Sequence, residues 1–283
     1  MTPQTNHLKP RIPIAHLARI TVYPIKSLDG VEVERATLLP GGALEHDRQF
    51  ALVDELGFVN GKRTEAAHRL RSSIDWAART LAISSGGSVV DEKGRTFRLD
   101  SDRATLVEWL QRYFNLDDSL RLVENTAGGF PDDAEAPGPT LVSTATLECV
   151  ASWFPGITLD EVRRRFRANL EVGGVEPFWE DHLYAEADQV VRFAVGDSLL
   201  EGVNPCQRCV VPTRNSLTGE ATLRFAKQFA ERREASLPPW AARSRFDHFY
   251  RLSVNTRGTS GGQESQVRIG APICILGIYP KQS

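Results

Sequence analysis

Between Leu17 and Leu99 the chain is a succession of short stretches in which apolar and polar residues alternate, most of them ended by glycine or proline. Alternation with a period of two is the signature of half-buried strands. LARITVYPIKS alternates through Ile20 and Val22, and Val31 to Leu39 (VEVERATLL) reads as a strand stopped by Pro40, Gly41 and Gly42. RQFALVDELGFVNGK reads as a hairpin turning over Asp54–Gly57; TLAISS and VVDEKGRTFRL, with a Lys93–Gly94 turn, give more of the same. Such a run with short connections predicts a barrel or sandwich. A doubly wound sheet would need regular strand–helix alternation and a G-x-G-x-x-G after a strand, and neither is present.

The second half is mixed. A helix is predicted over Asp102 to Phe114, with Leu106, Trp109, Leu110 and Phe114 on one face. RLVEN follows as a strand. Ala127 to Pro139 (AGGFPDDAEAPGP) is rich in Gly, Pro and acid and reads as the connection between two halves. Leu141–Ser143 reads as a short strand, with Ser143 or Thr144 capping a helix that carries Leu147, Val150, Ala151 and Phe154. Arg165 to Val172 (RFRANLEV) reads as a strand entered from a basic turn. Thr222 to Arg233 is a helix candidate, and RLSVNT and SQVRIGAPICILG are strands. The fold class is therefore mainly β (α+β) with a few flanking helices. The organisation is a flexible tail over 1–15, a β-barrel region over 16–130 and a second domain over 131–283.

The 283 residues are 41% hydrophobic and 25% charged, enough to bury a core, and the net charge is −2. That balance gives no reason to expect nucleic-acid binding. Four cysteines are too few for a secreted disulfide scaffold. The N-terminal stretch is broken by prolines and basic residues, and no window is apolar for long enough to span a bilayer. The expectation is a cytoplasmic protein with reduced thiols and no membrane association. Of the 34 basic residues only six are Lys, leaving 28 Arg, whose planar fork suits phosphate.

Four constellations carry chemistry. Asn204-Pro205-Cys206-Gln207-Arg208-Cys209 contains one close cysteine pair. A zinc site wants a second pair, and Cys149 and Cys274 are isolated. A thioredoxin-type pair wants a helix after the first cysteine, and Val210-Val211-Pro212-Thr213 starts a helix poorly. A single thiolate on a soft or high-valent metal, favoured by the neighbouring Arg208 cation, stands beside two inert buried cysteines as the remaining alternatives. Lys26 and Ser27, in Tyr23-Pro24-Ile25-Lys26-Ser27, suit a phosphate or are a solvated turn. Arg48, in His46-Asp47-Arg48-Gln49-Phe50, alternates with Phe50 and Leu52 and either faces a pocket or pairs with Asp47 or Glu45. Arg167 and Asn169, in Arg165-Phe166-Arg167-Ala168-Asn169, either contact a ligand or continue an exposed charge run.

Taken together and in order, YPIKS, HDRQFALVDELG, RFRANLEV, PCQRCVVPTRNSLTGE and VRIGAPICILG resemble the MOSC family, which takes its name from the C-terminal domain of molybdenum-cofactor sulfurase. The resemblance runs from about Leu17 to Gly277. It includes the N-terminal β-barrel region that accompanies MOSC in the mitochondrial amidoxime-reducing component and its bacterial relatives. It implies a MOSC-type N-terminal β-barrel region packed on a MOSC β-barrel, and binding of the molybdenum cofactor (Mo-molybdopterin). It further implies that Lys26, Ser27 and Arg48 hold the cofactor phosphate and pterin, and that Arg167 and Asn169 contact the pterin side. Ser143 and Thr144 stand where the family has hydroxyl donors. Cys209 would ligate molybdenum, with Gln207 and Arg208 flanking the metal and Arg208 stabilising charge that develops there; Cys206 matches a position that is not the ligand.

The implied activity is reduction of small N-hydroxylated substrates. The chain ends soon after ICILG without a C-x₄-C-x₂-C pattern, so electrons would come from a separate donor of ferredoxin, flavodoxin or cytochrome type with its reductase. The alternative is a carrier of the cofactor or its sulfur without turnover. Asp47, Glu180, Asp181 and His248 are candidate proton donors, and Tyr250 is a candidate for the tyrosine of a C-terminal family motif.

Overall fold

The computed structural model describes residues 15–86 and 94–281. The tail expected over 1–15, apart from Ala15, and the Lys93 side of the expected Lys93–Gly94 turn lie outside the described residues. The protein is mostly β. An eight-stranded sheet runs in the order Ile273–Pro280, Gln189–Val195, Ser198–Gln207, Arg251–Gly258, Leu141–Ser143, Leu170–Gly173, His16–Val22, Val31–Glu32. A three-stranded sheet holds Gly57–Phe58, Phe50–Asp54 and Arg121–Glu124; another holds Leu70–Asp75, Thr80–Ser85 and Arg95–Arg98. A two-stranded ladder joins Arg35–Leu38 to Ser265–Arg268.

The first strand does not stay with the first half. His16–Val22 pairs antiparallel with Leu170–Gly173, placing Arg19 opposite Glu171 and Ile20 opposite Leu170. Its alternation serves that sheet: Leu17, Ile20 and Val22 sink into a core shared with Leu141, Leu170, Phe193 and Val254. The first half keeps its own core around Phe50, Leu81, Phe97, Leu106 and Trp109. A third cluster packs Leu147, Phe154, Phe166, Phe225 and Phe229. Each fully buried Leu or Phe contributes roughly 1.5–3 kcal/mol.

Most expected elements form. The Phe50–Asp54 and Gly57–Phe58 hairpin turns where expected, and the first long helix is Arg103–Phe114. Val31 to Leu39 divides into two short strands that pair with different partners. The helix expected over Thr222 to Arg233 begins three residues later, as Phe225–Ala235.

The strand expected over Arg165 to Val172 is overturned in its first half. RFRANLEV does not begin as a strand: Arg165 and Phe166 end the helix Leu159–Phe166, and the strand starts only at Leu170. Thr158 caps this helix by accepting from the Glu161 backbone N–H, and Arg165 Nε donates to Glu161 one turn back at 2.7 Å. Cap and i,i+4 pair both favour helix over strand here. Arg167 then closes the helix in the left-handed conformation (φ 53°).

Candidate functional site

The chain leaves its first strand at Val22 and enters Tyr23-Pro24-Ile25-Lys26-Ser27. Three backbone hydrogen bonds stitch this turn to the DRQF segment: Arg48 N to Tyr23 O (2.6 Å), Phe50 N to Pro24 O (3.0 Å) and Lys26 N to Phe50 O (2.8 Å). Lys26 and Arg48 are thereby held side by side. Arg48 is not on the strand, as its alternation with Phe50 suggests, but just before it at φ 49°.

Asp47 ties the third motif in. Its Oδ1 accepts from Tyr23 N at 2.8 Å and from Asn169 Nδ2 at 2.9 Å, and its Oδ2 accepts from Arg48 Nη1. Tyr23 lies beneath two cations, with the Arg167 guanidinium 4.1 Å and that of Arg48 5.8 Å from its ring centre. Burial pushes the Tyr23 phenol up to about 12, against the pull of Arg167 and Arg48. Ser27, Arg48 and Arg167 all occupy the left-handed region (φ 72°, 49° and 53°). Non-glycine residues hold it at a cost of about 1–3 kcal/mol each, and such positions cluster at functional sites.

The thiol side is built by the helix that Arg167 caps. Arg165, buried at 3% exposure, reaches Pro212 O at 3.3 Å and Thr222 Oγ1 at 2.9 Å, while Glu161 accepts from Ser216 N at 2.9 Å. These bonds fix the segment that follows Cys209. Val211–Thr213 forms a single 3₁₀ turn, so no long helix N-terminus faces the cysteines. The hydrogen bonds of Arg208 go to Cys206 and the backbone: Nη1 donates to Cys206 Sγ at 3.1 Å and Nη2 to Phe166 O at 2.6 Å. All four cysteines are free. Among the described residues no group of three or more His, Cys, Asp or Glu could hold a metal ion.

A single cleft of about 1210 Å³ joins both parts. Lys26, Ser27, Arg48, Arg167, Cys206, Gln207, Arg208 and Cys209 all line it. Lys and Arg outnumber Asp and Glu two to one along its walls, in a chain whose net charge is −2. Six of the nine other arginines on the wall pair with a carboxylate, whereas Arg164, Arg208 and Arg245 show no ion pair among the described residues, and the Arg167 side chain makes neither a hydrogen bond nor an ion pair there. Burial draws its pKa down and Arg48 adds to this, yet a guanidinium stays charged. An uncompensated cation walled into a cleft is a site for an anion.

Three named residues are not brought to the cleft wall. Ser143 is fully buried and accepts from Thr146 N at 3.0 Å as the cap of Thr144–Ser152. Thr144 donates to Glu171 at 3.4 Å. Asn169, 1% exposed, donates to Thr21 O and Asp47 and so braces the motifs from behind. Of the candidate proton donors, Asp47 is fully engaged, Glu180 and Asp181 are buried elsewhere, and His248 lies outside the cleft. Tyr250 is not on the wall either; its hydroxyl is buried without a hydrogen-bond partner among the described residues.

Sequence reasoning missed two residues. Asp132 lies in the connecting loop and accepts from Lys26 Nζ at 2.6 Å. His68, on the short helix Ala66–Arg69, is the sole histidine on the wall. Its Nε2 donates to Gly61 O at 3.2 Å, and burial lowers its pKa, with Arg214, Arg167 and Arg71 adding to this against the Gly61 bond. The first half thus forms part of the cleft wall, and Arg71 Nη2 reaches Ser216 O at 3.1 Å to hold it against the second half.

Two β-domains sharing a strand, with a basic cleft lined by the thiols of Cys206 and Cys209, define the class. A MOSC N-terminal beta barrel domain matches residues 14–119 and a MOSC domain matches residues 140–273, so the chain belongs to the MOSC-domain family. It is 24% identical over 237 residues to a molybdenum cofactor sulfurase of Drosophila grimshawi, covering 72% of this chain and 29% of that protein. It is 23% identical over 215 residues to one of Caenorhabditis briggsae, covering 70% and 29%. The chain therefore spans about 29% of the length of these curated relatives. The crystal structure of the YuaD protein from Bacillus subtilis covers 95% of this chain and 97% of its own at 11% identity, but with a TM-score of 0.38 the likeness carries no argument. Among the described residues no helix is long and apolar enough to cross a membrane.

Proposed function

We propose that the protein binds a molybdopterin-type molybdenum cofactor and reduces small N-hydroxylated compounds with electrons from a separate donor protein. One observation carries this reading: Cys209 and an arginine without a carboxylate, Arg167, line the same cleft, together with Lys26 and Arg48. The donor set fits the group. Lys26, Ser27, Arg48 and Arg167 would take its phosphate through charge-assisted hydrogen bonds, and Cys209 would give a soft thiolate to the metal. When bound, the group supplies two-electron redox chemistry. Gln207 and Arg208 flank the thiolate, while Tyr23 and Asp47 keep Arg48 and Arg167 oriented. The overall change balances as R–NH–OH plus two electrons and two protons giving R–NH₂ and water. The electrons come from a ferredoxin-, flavodoxin- or cytochrome-type protein served by its own reductase.

The test is made on the full chain produced in a host that makes the cofactor. Molybdenum and pterin in near-equal amounts, with consumption of benzamidoxime when a reduced donor is added, are expected. Protein free of both would sink the reading. Cys209→Ala is expected to lose all turnover and keep most of its pterin; undiminished turnover in this variant would remove the ligand assignment. The relatives named as cofactor sulfurases favour a second reading, a carrier that holds the cofactor or its sulfur. Metal and pterin retained without consumption of benzamidoxime would select it.

A further inference from the structure

The loop between the two domains is a strap fixed at both ends. At Gly129 a Cβ would lie 2.3 Å from Asp47 O, and Phe130 N donates to Arg48 O at 2.9 Å. At Gly138 a Cβ would lie 2.6 Å from Thr256 Oγ1, and its N–H donates to Thr256 O at 2.8 Å. Between these anchors the strap forms one wall of the cleft. It also occupies Lys26, whose ammonium is 3.0 Å from Phe130 O and 2.6 Å from Asp132 Oδ1. The other oxygen of Asp132 lies 3.9 Å from Arg48 Nε.

We propose that Asp132 is a built-in competitor for the anion site, its carboxylate holding Lys26 and Arg48 in the place of a phosphate and yielding when one enters. This rests on the reading of Lys26, Arg48 and Arg167 as a phosphate grip. A carboxylate presents two oxygens much as a phosphate presents two of its own, and both accept charge-assisted bonds.

Two carboxylates touch this site, and only one is free to leave. Asp47 is pinned by Tyr23 N and Asn169 Nδ2, and its side chain is 11% exposed. Among the described residues Asp132 hydrogen-bonds through its side chain only to Lys26 and otherwise approaches only Arg48, and its side chain is 64% exposed, so it can rotate into water without unpacking the core. Partial desolvation against the cleft wall opposes its ionisation, but Arg48 and Lys26 outweigh this and hold the carboxyl down at about 2. It is therefore a permanent counter-charge.

The consequence is selectivity. Three bare cations would hold any small phosphate. With Asp132 in place a phosphate alone must win two cations back, and only a ligand that gains further contacts along the cleft is retained.

The experiment is calorimetric titration of inorganic phosphate into the full chain, purified from a host that makes no pterin. Asp132→Asn and Asp132→Ala are each expected to bind phosphate about tenfold tighter than wild type, as removal of a self-occupied state requires. Arg167→Ala is expected to bind it more weakly than wild type. If both Asp132 variants bind phosphate no tighter than wild type while Arg167→Ala still weakens it, the competitor is overturned and the grip stands. If no form binds phosphate, the grip itself fails and the competitor falls with it.

Discussion

Two arginines in this molecule look alike at close range. The Arg167 guanidinium lies 4.1 Å from the centre of the Tyr23 ring, and that of Arg233 lies 4.3 Å from the centre of the Phe178 ring and 5.2 Å from that of Phe246. Arg233 is sealed in at 2% exposure and bonded to Asp181 at 2.5 Å, beside a second buried acid, Glu180. Arg167 opens into the cleft, and no acid among the described residues bonds its guanidinium. The lesson is where each charge is balanced. Around Arg233 the balance is internal, and the cluster belongs to the architecture. Around Arg167 the balance is missing, and the fold holds three non-glycine residues in left-handed geometry to keep it so.

If this division is right, the largest effect on stability comes from the sealed side. Arg233→Met is expected to cost about 3–5 kcal/mol in denaturant unfolding, because it strands Asp181 in the core. Adding Asp181→Leu should recover most of that loss; failure to recover would mean the arginine works through packing instead.

Glu180 sharpens the same side through pH. Burial, reinforced by the Asp181 charge, pushes its carboxyl from 4.5 up to about 7. Between those values the folded state holds a proton that the unfolded state has lost, so stability falls as pH rises across this window, by a loss on the order of 3 kcal/mol. Glu180→Gln should flatten the slope between about pH 4.5 and 7. An unchanged unfolding profile would show that Glu180 is ionised throughout.

On the open side the sign of the expectation reverses. Arg167→Ala is expected to leave the melting temperature almost unmoved and to weaken phosphate binding by about 1.5–3 kcal/mol, the worth of one charge-assisted contact. A large loss of stability with unchanged phosphate affinity would erase the contrast. The smallest effect belongs to Ser143→Ala, which should cost about 1 kcal/mol as a lost helix cap. Phosphate affinity in that variant should match wild type, since Ser143 faces Thr146 and Glu180 and not the cleft.

Local chemistry was readable in the chain, and long-range placement was not. The Ser143 cap could be read from a hydroxyl ahead of an apolar helical face. Thr158-Leu159-Asp160-Glu161 is an equally clear capping signal, but the strand-like RFRANLEV overlaps the end of the helix it starts and masks it. Arg167 at a helix C-cap carries no glycine or asparagine to announce left-handed geometry. The role of Asp132 depends on where Gly129 and Gly138 press against other segments, which composition alone does not reveal. Asn169 shows the opposite gap: its motif marks it as a candidate for ligand contact, but its amide braces Thr21 and Asp47 from behind the wall.

The strand His16–Val22 has a further meaning for how such a molecule can be inherited. It opens the sequence of one domain and completes the sheet of the other, covering Leu170–Gly173 along its length. Cut at any point in the connecting loop, the second domain would show a naked ladder of peptide groups and a trough where Leu17, Ile20 and Val22 had been. A piece of the chain passed on without this strand would carry an exposed sheet edge able to pair with another chain.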